Sequence, residues 1–330
     1  MLRSETEGQP KRRAAALAGL QRYQDAPRGR KRRPAPARFR KGRARLRDYG
    51  GSGRPVIVVP SLINPPHILD LTPDTSLLRW LTTQGVHPYL LDWDSPGPDT
   101  RDMDLTAHIE RILLPLIAKF DAPPILIGYC LGGTIALAAA CITKVAGLAL
   151  IAAPWRFAGF GSARADIAAL WRAAEPAAAR MGLVPMEVLQ TGFWRLDPKR
   201  TVGKYEAFAT MDLESPAART FIAMEDWANA GAPLPYATGQ QLFEGFVAHD
   251  LPGRAEWVIG GEPVSLDRLA CPAIEFVSRN DRIVPAATAA DLPDRHDLGA
   301  GHVGMIVGSG ARVQLWEPLA HWLTGLPAPR

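Results

Sequence analysis

One segment near the middle of the chain constrains the fold more than any other. Residues 123–140 read P-P-I-L-I-G-Y-C-L-G-G-T-I-A-L-A-A-A, which is an apolar run, a turn with three glycines around Cys130, and an Ala-rich stretch. A reactive side chain on a sharp strand-to-helix turn needs small neighbours, because the backbone there must approach the sheet closely. The order of strand, tight turn and helix therefore predicts a nucleophile elbow with Cys130 as the nucleophile.

The segments on both sides of this turn alternate between strand and helix character. Residues 54–60 (RPVIVVP) and 87–93 (HPYLLDW) are short apolar runs, typical of parallel strands that are covered on both faces. Residues 105–120 carry apolar side chains at helical spacing, and strand-like runs return at 146–152 and 273–278. This alternation predicts an α/β fold with a mostly parallel central sheet flanked by helices.

The alternation stops between residues 155 and 254, where helix-prone segments with aromatic residues replace it. We interpret residues 155–254 as an inserted helical cap, called the helical insertion below. Residues 49–154 and 255–330 then form the α/β core. No apolar run in the sequence reaches the ~18 residues that a membrane-spanning helix needs.

Residues 1–48, called the N-terminal segment below, hold 16 Lys and Arg against four Asp and Glu, whereas the remainder holds 22 against 29. Because its Pro- and Arg-rich composition offers little apolar surface to bury, we expect this segment to be disordered. Its basic runs at 11–13 and 30–33 have two interpretations. They are a solvated tail, or they contact an anionic surface such as lipid or nucleic acid, or an acidic partner.

Two downstream residues complete a catalytic triad with Cys130. Asp281 follows the strand-like run AIEFVS, and His302 lies in the glycine-containing loop L-G-A-G-H-V-G-M. The chain order of nucleophile, acid and histidine is that of the α/β-hydrolase fold, and such sheets place their sites at the carboxyl ends of strands. Asp297 remains the alternative to Asp281. The sequence thus predicts an α/β-hydrolase fold in which His302 activates Cys130.

Two backbone groups are expected to stabilise the oxyanion that forms during acyl transfer. The first is the N–H of Leu131, at the start of the helix after the elbow. The second is the N–H of Leu62 or Ile63, in the run S-L-I-N-P-P after the first parallel strand.

The other cysteines and histidines fit this chemistry less well. We interpret Cys141 and Cys271 as small, buried apolar residues. Three cysteines at these spacings match neither a disulfide framework nor a zinc site, so we expect a reducing cytoplasm and neither metal nor cofactor. The remaining histidines lack the glycine loop, and we interpret them as surface or packing residues; they are His67, His87, His108, His249, His296 and His321. Of these, His67 follows the first strand.

The ordered set of motifs resembles the polyhydroxyalkanoate synthases, most closely the catalytic subunit of the class III, two-component enzymes. The resemblance covers about residues 55–323 and includes V-V-P-S-L-I-N-P-P-H-I-L-D-L, L-L-D-W-D-S-P-G-P, G-Y-C-L-G-G-T, E-D-W, N-D-R-I-V-P and G-H-V-G-M-I-V. Residues 64–67 depart from it, because they read N-P-P-H where the family often has an aromatic pair. This departure predicts a difference from the family in access to the site or in substrate range.

The resemblance implies an acyltransferase that polymerises (R)-3-hydroxyacyl groups from coenzyme A thioesters. It implies a covalent acyl intermediate on Cys130, release of CoA, and His302 as the base. Asp281 then either orients His302 or deprotonates the substrate hydroxyl. The resemblance also implies a homodimer, a second, noncatalytic subunit, and a cytoplasmic, granule-associated protein.

Two other functions are compatible with the same residues. A thioesterase or esterase would use this triad to hydrolyse the acyl-enzyme wherever water reaches it. An inactive, granule-associated binding protein would keep the fold and use its basic N-terminal segment for contact. Release of CoA together with polymer would distinguish the synthase from both.

Overall fold

The computed structural model describes residues 2–28, 33–196 and 198–327. Its strands are β1 (Ala37–Lys41), β2 (Ala44–Asp48), β3 (Pro55–Val59), β4 (His87–Asp92), β5 (Ile125–Tyr129), β6 (Gly147–Ile151), β7 (Leu183–Val184), β8 (Leu234–Pro235), β9 (Val258–Ile259), β10 (Glu262–Pro263), β11 (Ala273–Ser278) and β12 (Asp294–Leu298).

The helices are α1 (Leu2–Glu5), α2 (Pro10–Asp25), α3 (Leu77–Thr82), α4 (Leu105–His108), α5 (Leu114–Ile117), α6 (Leu131–Ile142), α7 (Ala163–Met181), α8 (Met186–Leu196), α9 (Pro198–Phe208), α10 (Pro216–Asn229), α11 (Tyr236–Gln240), α12 (Gly304–Val307) and α13 (Glu317–Gly325). Wider π-helical turns extend three of them, at Ile109–Leu113, Gln241–Ala248 and Arg312–Trp316.

The central sheet has the strand order β1-β2-β4-β3-β5-β6-β11-β12. The strands from β4 to β12 in this order pair in parallel, whereas β1 and β2 form an antiparallel edge next to β4. This mostly parallel sheet confirms the α/β prediction. The carboxyl ends of β5 and β11 lie at the same edge of the sheet, so the residues that follow them can meet.

The parallel strands are buried because helices cover both faces of the sheet. All residues of β5 and β6 are buried, as their nearly continuous apolar sequences predict. One face packs against α4, α6 and the turn between α4 and α5, and the other against α3, α12 and α13. The rigid centre of the molecule therefore lies directly beneath the elbow.

The helices α7 to α11 occupy the chain between β6 and β11, the segment for which we expect the helical insertion. Stacked aromatic rings hold part of it together, since the ring centroids of Trp171 and Phe243 are 4.9 Å apart. The insertion also contacts the core, because the indole N–H of Trp227 donates to the carbonyl of Pro65, 2.8 Å away. Helix α10 thereby lies next to the loop that follows β3.

The N-terminal segment differs from the disordered tail that its composition predicts. Its second half forms β1 and β2 of the central sheet, and its first half contains the 16-residue helix α2, which packs along α9. The two helices lie so close that a side chain at Gly19 would come within 1.8 Å of the backbone oxygen of Tyr205. The prediction of disorder for residues 1–48 is therefore wrong for the described part; residues 30–32 of the second basic run lie outside it.

Partners far along the chain explain this difference. Tyr23 is buried with Phe208 and Ile222 of the helical insertion. Arginines of the segment pair with acidic residues there, since Arg12 lies 2.5 Å from Glu206 and Arg28 lies 3.0 Å from Asp226. The composition of the segment reflects only its own apolar surface. The docked segment also uses apolar surface of α9 and α10, which its composition does not include.

None of the helices in the described ranges combines the length and the apolar character needed to cross a membrane.

Candidate active site

Cys130 occupies the turn between β5 and α6 in a strained backbone conformation. Its φ and ψ angles are 56° and −131°, a region that side-chain-bearing residues rarely adopt. Two backbone hydrogen bonds hold it there, because its N–H donates to Ile151 at 3.0 Å and its carbonyl accepts from Gly133 at 2.8 Å. Cys130 is partly exposed. The strand-to-helix turn thus presents a thiol at the edge of the sheet, as the elbow pattern predicts.

The glycines around Cys130 permit close packing of the turn. A Cβ atom at Gly132 would lie 2.2 Å from the backbone oxygen of Val59, and one at Gly128 would lie 2.4 Å from the Cα of Gly133. Atoms cannot approach so closely, so larger residues would push α6 away from β3 and β5. The strain itself lies at Cys130, while these glycines let the helix begin directly above the sheet.

His302 and Asp281 lie together beside the elbow. His302 Nδ1 is 2.5 Å from Asp281 Oδ2, while Asp281 Oδ1 accepts the backbone N–H groups of Ile283 and Val284 at 2.7 and 2.9 Å. Both carboxylate oxygens are therefore occupied, which fixes the orientation of Asp281. Cys130 lies close enough to the imidazole to contribute to the shift of its pKa. Since Nδ1 faces Asp281, Nε2 is the ring nitrogen that remains for the thiol.

The charges around His302 favour its protonated form. Burial alone would lower the pKa of His302, but the adjacent Cys130 and Asp281 outweigh burial and raise this pKa to about 10. A protonated imidazole beside the elbow can give its proton to a leaving group and take one back in the next step, which is the work of a general acid and base.

The other two cysteines lie in environments that suppress their reactivity. Burial raises the pKa of the Cys141 thiol to about 12 and that of Cys271 to about 11. Because the thiolate is the nucleophilic form, both remain unreactive near neutral pH. Cys141 is buried, which agrees with its interpretation as a packing residue, whereas Cys271 is partly exposed and the expectation that it is buried is wrong.

The alternative acid and the neighbouring histidine both lie away from this cluster. Asp297 is in β12, where its carboxylate lies 3.1 Å from Arg295 and 3.6 Å from Arg279. His296 is on the same strand with 46% of its side chain exposed, against 8% for His302. Among the described contacts Asp281, and not Asp297, meets the imidazole.

The structure distinguishes between the two oxyanion donors proposed for the loop after β3. The N–H of Ile63 donates to the Ser61 hydroxyl at 3.1 Å, so this group is already occupied. The N–H of Leu62 has no acceptor within the described part of the chain, and neither has that of Leu131, the first residue of α6. Leu62 and Leu131 are therefore the better pair of donors.

Sequence reasoning missed one contact within the site. The ring of Tyr129 stacks on the imidazole of His302, with 5.2 Å between ring centroids, and its hydroxyl donates to the His302 carbonyl at 3.2 Å. The position of Tyr129, an aromatic residue directly before the nucleophile, could have indicated this. The direction of its side chain could not be derived without the sheet.

No group of three or more His, Cys, Asp or Glu side chains within the described ranges comes close enough to hold a metal ion. The chemistry that this arrangement can perform with its own groups is nucleophilic acyl transfer. In such chemistry a thiol supplies the nucleophile, an imidazole moves the proton, and backbone N–H groups without an acceptor are available to an oxyanion.

Comparison with known proteins agrees with this architecture. The profile described as "Alpha/beta hydrolase family" matches residues 56–313. A poly(3-hydroxyalkanoate) polymerase subunit PhaC from Haloferax mediterranei is 31% identical to this chain. The match covers 81% of this chain but only 58% of the length of that relative. The subunit of the same name from Allochromatium vinosum is 25% identical, covering 82% of this chain and 80% of its own.

Among solved structures, a monoacylglycerol lipase from Paleococcus ferrophilus superposes with a TM-score of 0.50 at 15% identity, covering 84% of this chain and 97% of its own. At such low identity the likeness concerns the fold alone.

Proposed function

Because this chain belongs to the α/β-hydrolase family and its curated relatives are poly(3-hydroxyalkanoate) polymerases, we propose that it is an acyltransferase that builds a polyester from (R)-3-hydroxyacyl-CoA. The comparisons confirm the resemblance to polyhydroxyalkanoate synthases found in the sequence. The observation that carries the proposal is the hydrogen bond of His302 with Asp281, in a site where Cys130 also acts on the pKa of the imidazole.

In the first half-reaction, Cys130 takes the acyl group from coenzyme A. His302 accepts the thiol proton, the sulfur attacks the thioester carbonyl, and the N–H groups of Leu131 and Leu62 stabilise the oxyanion. The carbon–sulfur bond to CoA then breaks, and the departing sulfur takes the proton from His302. The product is an acyl-cysteine thioester. Exchange of one thioester for another is nearly isoenergetic, so the acyl group remains activated.

In the second half-reaction, a hydroxyl group attacks the acyl-cysteine. The hydroxyl of the next hydroxyacyl unit or of the chain end gives its proton to His302, its oxygen forms an ester bond, and the sulfur of Cys130 leaves. That sulfur then takes the proton back, which regenerates the starting pair. Polymer growth therefore needs water to stay away from the acyl-cysteine while the hydroxyl reaches it.

The geometry supports the orienting role for Asp281 over direct deprotonation of the substrate hydroxyl. Its side chain is completely buried, and both carboxylate oxygens already accept hydrogen bonds from His302, Ile283 and Val284. A carboxylate held in this way fixes the imidazole tautomer and stabilises the imidazolium. It has no free oxygen for a substrate. The homodimer and the second subunit that the resemblance implies remain predictions.

The test of this function follows CoA and polymer in the same reaction. The full chain is incubated with (R)-3-hydroxybutyryl-CoA, and free thiol and polyester are measured over time. Matched release of CoA and incorporation of acyl units supports the synthase. Release of CoA with free hydroxy acid as the product would identify a thioesterase. A chain that releases no CoA and forms no acyl-cysteine even in a single turnover would contradict both enzymes.

A further inference from the structure

Tyr129 contacts the proposed base through both parts of its side chain. The planes of its ring and the His302 imidazole differ by 26°, and its hydroxyl donates to the His302 backbone carbonyl at 3.2 Å. Tyr129 is the last residue of β5 and directly precedes Cys130. The side chain of Tyr129, the residue before the nucleophile, thus contacts His302, the proposed base for Cys130.

The two ends of this link belong to different kinds of structure. Tyr129 is 3% exposed and pairs with Ile151 in the centre of the sheet, so the strand ladder holds its backbone. His302 follows Gly301 in the loop between β12 and α12, outside the strands of the sheet. The side chain of Tyr129 can therefore anchor the His302 loop to the central sheet.

Asp281 alone does not fix the imidazole completely. Its hydrogen bond constrains Nδ1 of His302 but leaves the ring free to turn about the line between Nδ1 and Oδ2. Such a turn would move Nε2 away from the sulfur of Cys130. A ring stacked on the face of the imidazole opposes that motion, and a hydrogen bond to the His302 carbonyl holds the backbone from which the ring projects.

The environment also keeps the Tyr129 hydroxyl as a donor. Burial, followed by the charges of Cys130 and Asp281, raises the pKa of Tyr129 well above its usual value. The hydroxyl therefore stays protonated at every pH at which the enzyme would work, and the bond to His302 persists.

We propose that Tyr129 is a positioning residue that holds the His302 imidazole in line with Cys130, an inference that rests on the proposed acyl-transfer role of this pair. The stacked ring sets the plane of the imidazole, and the hydroxyl sets the position of the loop. The residue preceding the nucleophile thus contributes to catalysis without touching the substrate.

The test measures alkylation of Cys130 by iodoacetamide between pH 6 and pH 10 for the full chain, with the Cys130→Ser chain as the blank for Cys141 and Cys271. Tyr129→Phe keeps the ring and removes the hydroxyl, and we expect alkylation near pH 7 to slow by about fivefold, the effect of one neutral hydrogen bond. Tyr129→Leu removes both contacts and should slow it by roughly 50-fold.

A second readout separates positioning from general stability. As His302 moves away from Asp281 and Cys130, the midpoint of its titration, followed by NMR of the histidine rings, should fall from its raised value. The matched control is Tyr205→Phe, which removes a partly buried tyrosine hydroxyl that donates to Glu225 at 2.7 Å in the helical insertion. This control should lower the melting temperature but leave alkylation and the His302 midpoint unchanged.

Three results would overturn the proposal. The first is that Tyr129→Phe is alkylated within twofold of the wild-type rate and its His302 midpoint is unchanged. The second is that Tyr205→Phe slows alkylation as much as Tyr129→Phe does. The third is that the Tyr129→Phe chain does not fold, which would make the hydroxyl a purely structural group. Because iodoacetamide replaces the hydroxyacyl substrate, these outcomes are independent of whether the chain makes polyester.

Discussion

Nδ1 of His302 lies 2.5 Å from Oδ2 of Asp281, inside a site where the carboxylate is fully buried. A hydrogen bond between a carboxylate and an imidazolium is charge-assisted, and such bonds are stronger than those between neutral groups. It joins the loop after β12 to the loop after β11, and the third partner, Cys130, arrives from the turn after β5. The distances between the three side chains therefore depend on three loops whose positions the central sheet fixes.

Asp281→Asn should reduce acylation of Cys130 by roughly 10²–10⁴-fold, because a neutral amide neither stabilises the imidazolium nor selects its tautomer. It should also shift the midpoint of the pH–rate profile downward, since the charge of Asp281 helps to raise the pKa of His302. Stopped-flow release of CoA across pH measures both effects. Asp297→Asn is the matched control, and a loss there equal to that of Asp281→Asn would reassign the acid.

Cys130→Ser should lose most acyl transfer while the fold stays intact, because a serine hydroxyl is a poorer nucleophile at its ordinary pKa and forms a less activated ester. We expect less than a tenth of the wild-type rate, which corresponds to more than ~1.4 kcal/mol in the barrier. Cys271→Ser should retain the rate, since burial raises the pKa of that thiol to about 11. If the Cys130→Ser chain keeps more than about a tenth of the wild-type acyl-transfer rate, Cys130 is not the nucleophile.

His302→Gln should abolish acylation, whereas His296→Gln should retain it. The two side chains differ in surroundings, because His302 is 8% exposed against Asp281 and His296 is 46% exposed on β12. Mass spectrometry of the acyl-enzyme after a single turnover measures the difference. The reverse outcome, with His296 required and His302 replaceable, would show that the base is misassigned.

The stability contributed by His302 should depend on pH. A pKa raised to about 10 in the folded state means that folding strengthens proton binding, so this contribution is complete below the unfolded value of about 6.5 and is lost as pH rises towards 10. The difference in unfolding free energy between wild type and His302→Gln should therefore shrink from pH 6 to pH 10. Urea unfolding at several pH values tests this, and a difference that grows with pH would contradict the raised pKa.

Gly19→Ala should separate α2 from α9, because the added carbon would lie 1.8 Å from the backbone oxygen of Tyr205. We expect a loss of about 1–3 kcal/mol, seen as a lower melting temperature. Gly203→Ala on the partner helix is the matched control. It meets no atom within 4 Å, so helix propensity should make it stabilising by about 0.5–1 kcal/mol. Equal effects of the two substitutions would show that α2 does not dock in solution.

The same docking changes what a truncation can reveal. A chain that begins near Arg47 lacks β1 and most of β2, which pairs with β4 in the central sheet. A chain that begins at residue 34 lacks α1 and α2 but keeps every strand of the sheet. It is therefore the better chain for testing whether the N-terminal segment binds an anionic surface or an acidic partner.

Much of the candidate site could be predicted from local sequence. Cys130, Asp281 and His302 each follow a strand-like run, and in a parallel sheet the ends of such strands lie at one edge. Their proximity follows from topology, which the alternation of strands and helices already indicates. Their catalytic roles remain predictions.

The rest could not be predicted because it depends on contacts between distant residues. Leu62 and Ile63 are adjacent in sequence, and only the rotamer of Ser61 shows that the N–H of Ile63 is occupied. The orientation of Tyr129 depends on the sheet around it. The order in the N-terminal segment depends on an acidic and aromatic surface that the helical insertion supplies.

The bond from the Tyr23 hydroxyl to Asp226 spans 203 residues of chain. At a synthesis rate of about 5–20 residues per second, a ribosome releases Tyr23 roughly 10–40 s before Asp226. During that interval α2, with its arginines, has been made but its docking surface has not. Helix α2 therefore leaves the ribosome well before the surface on which it docks.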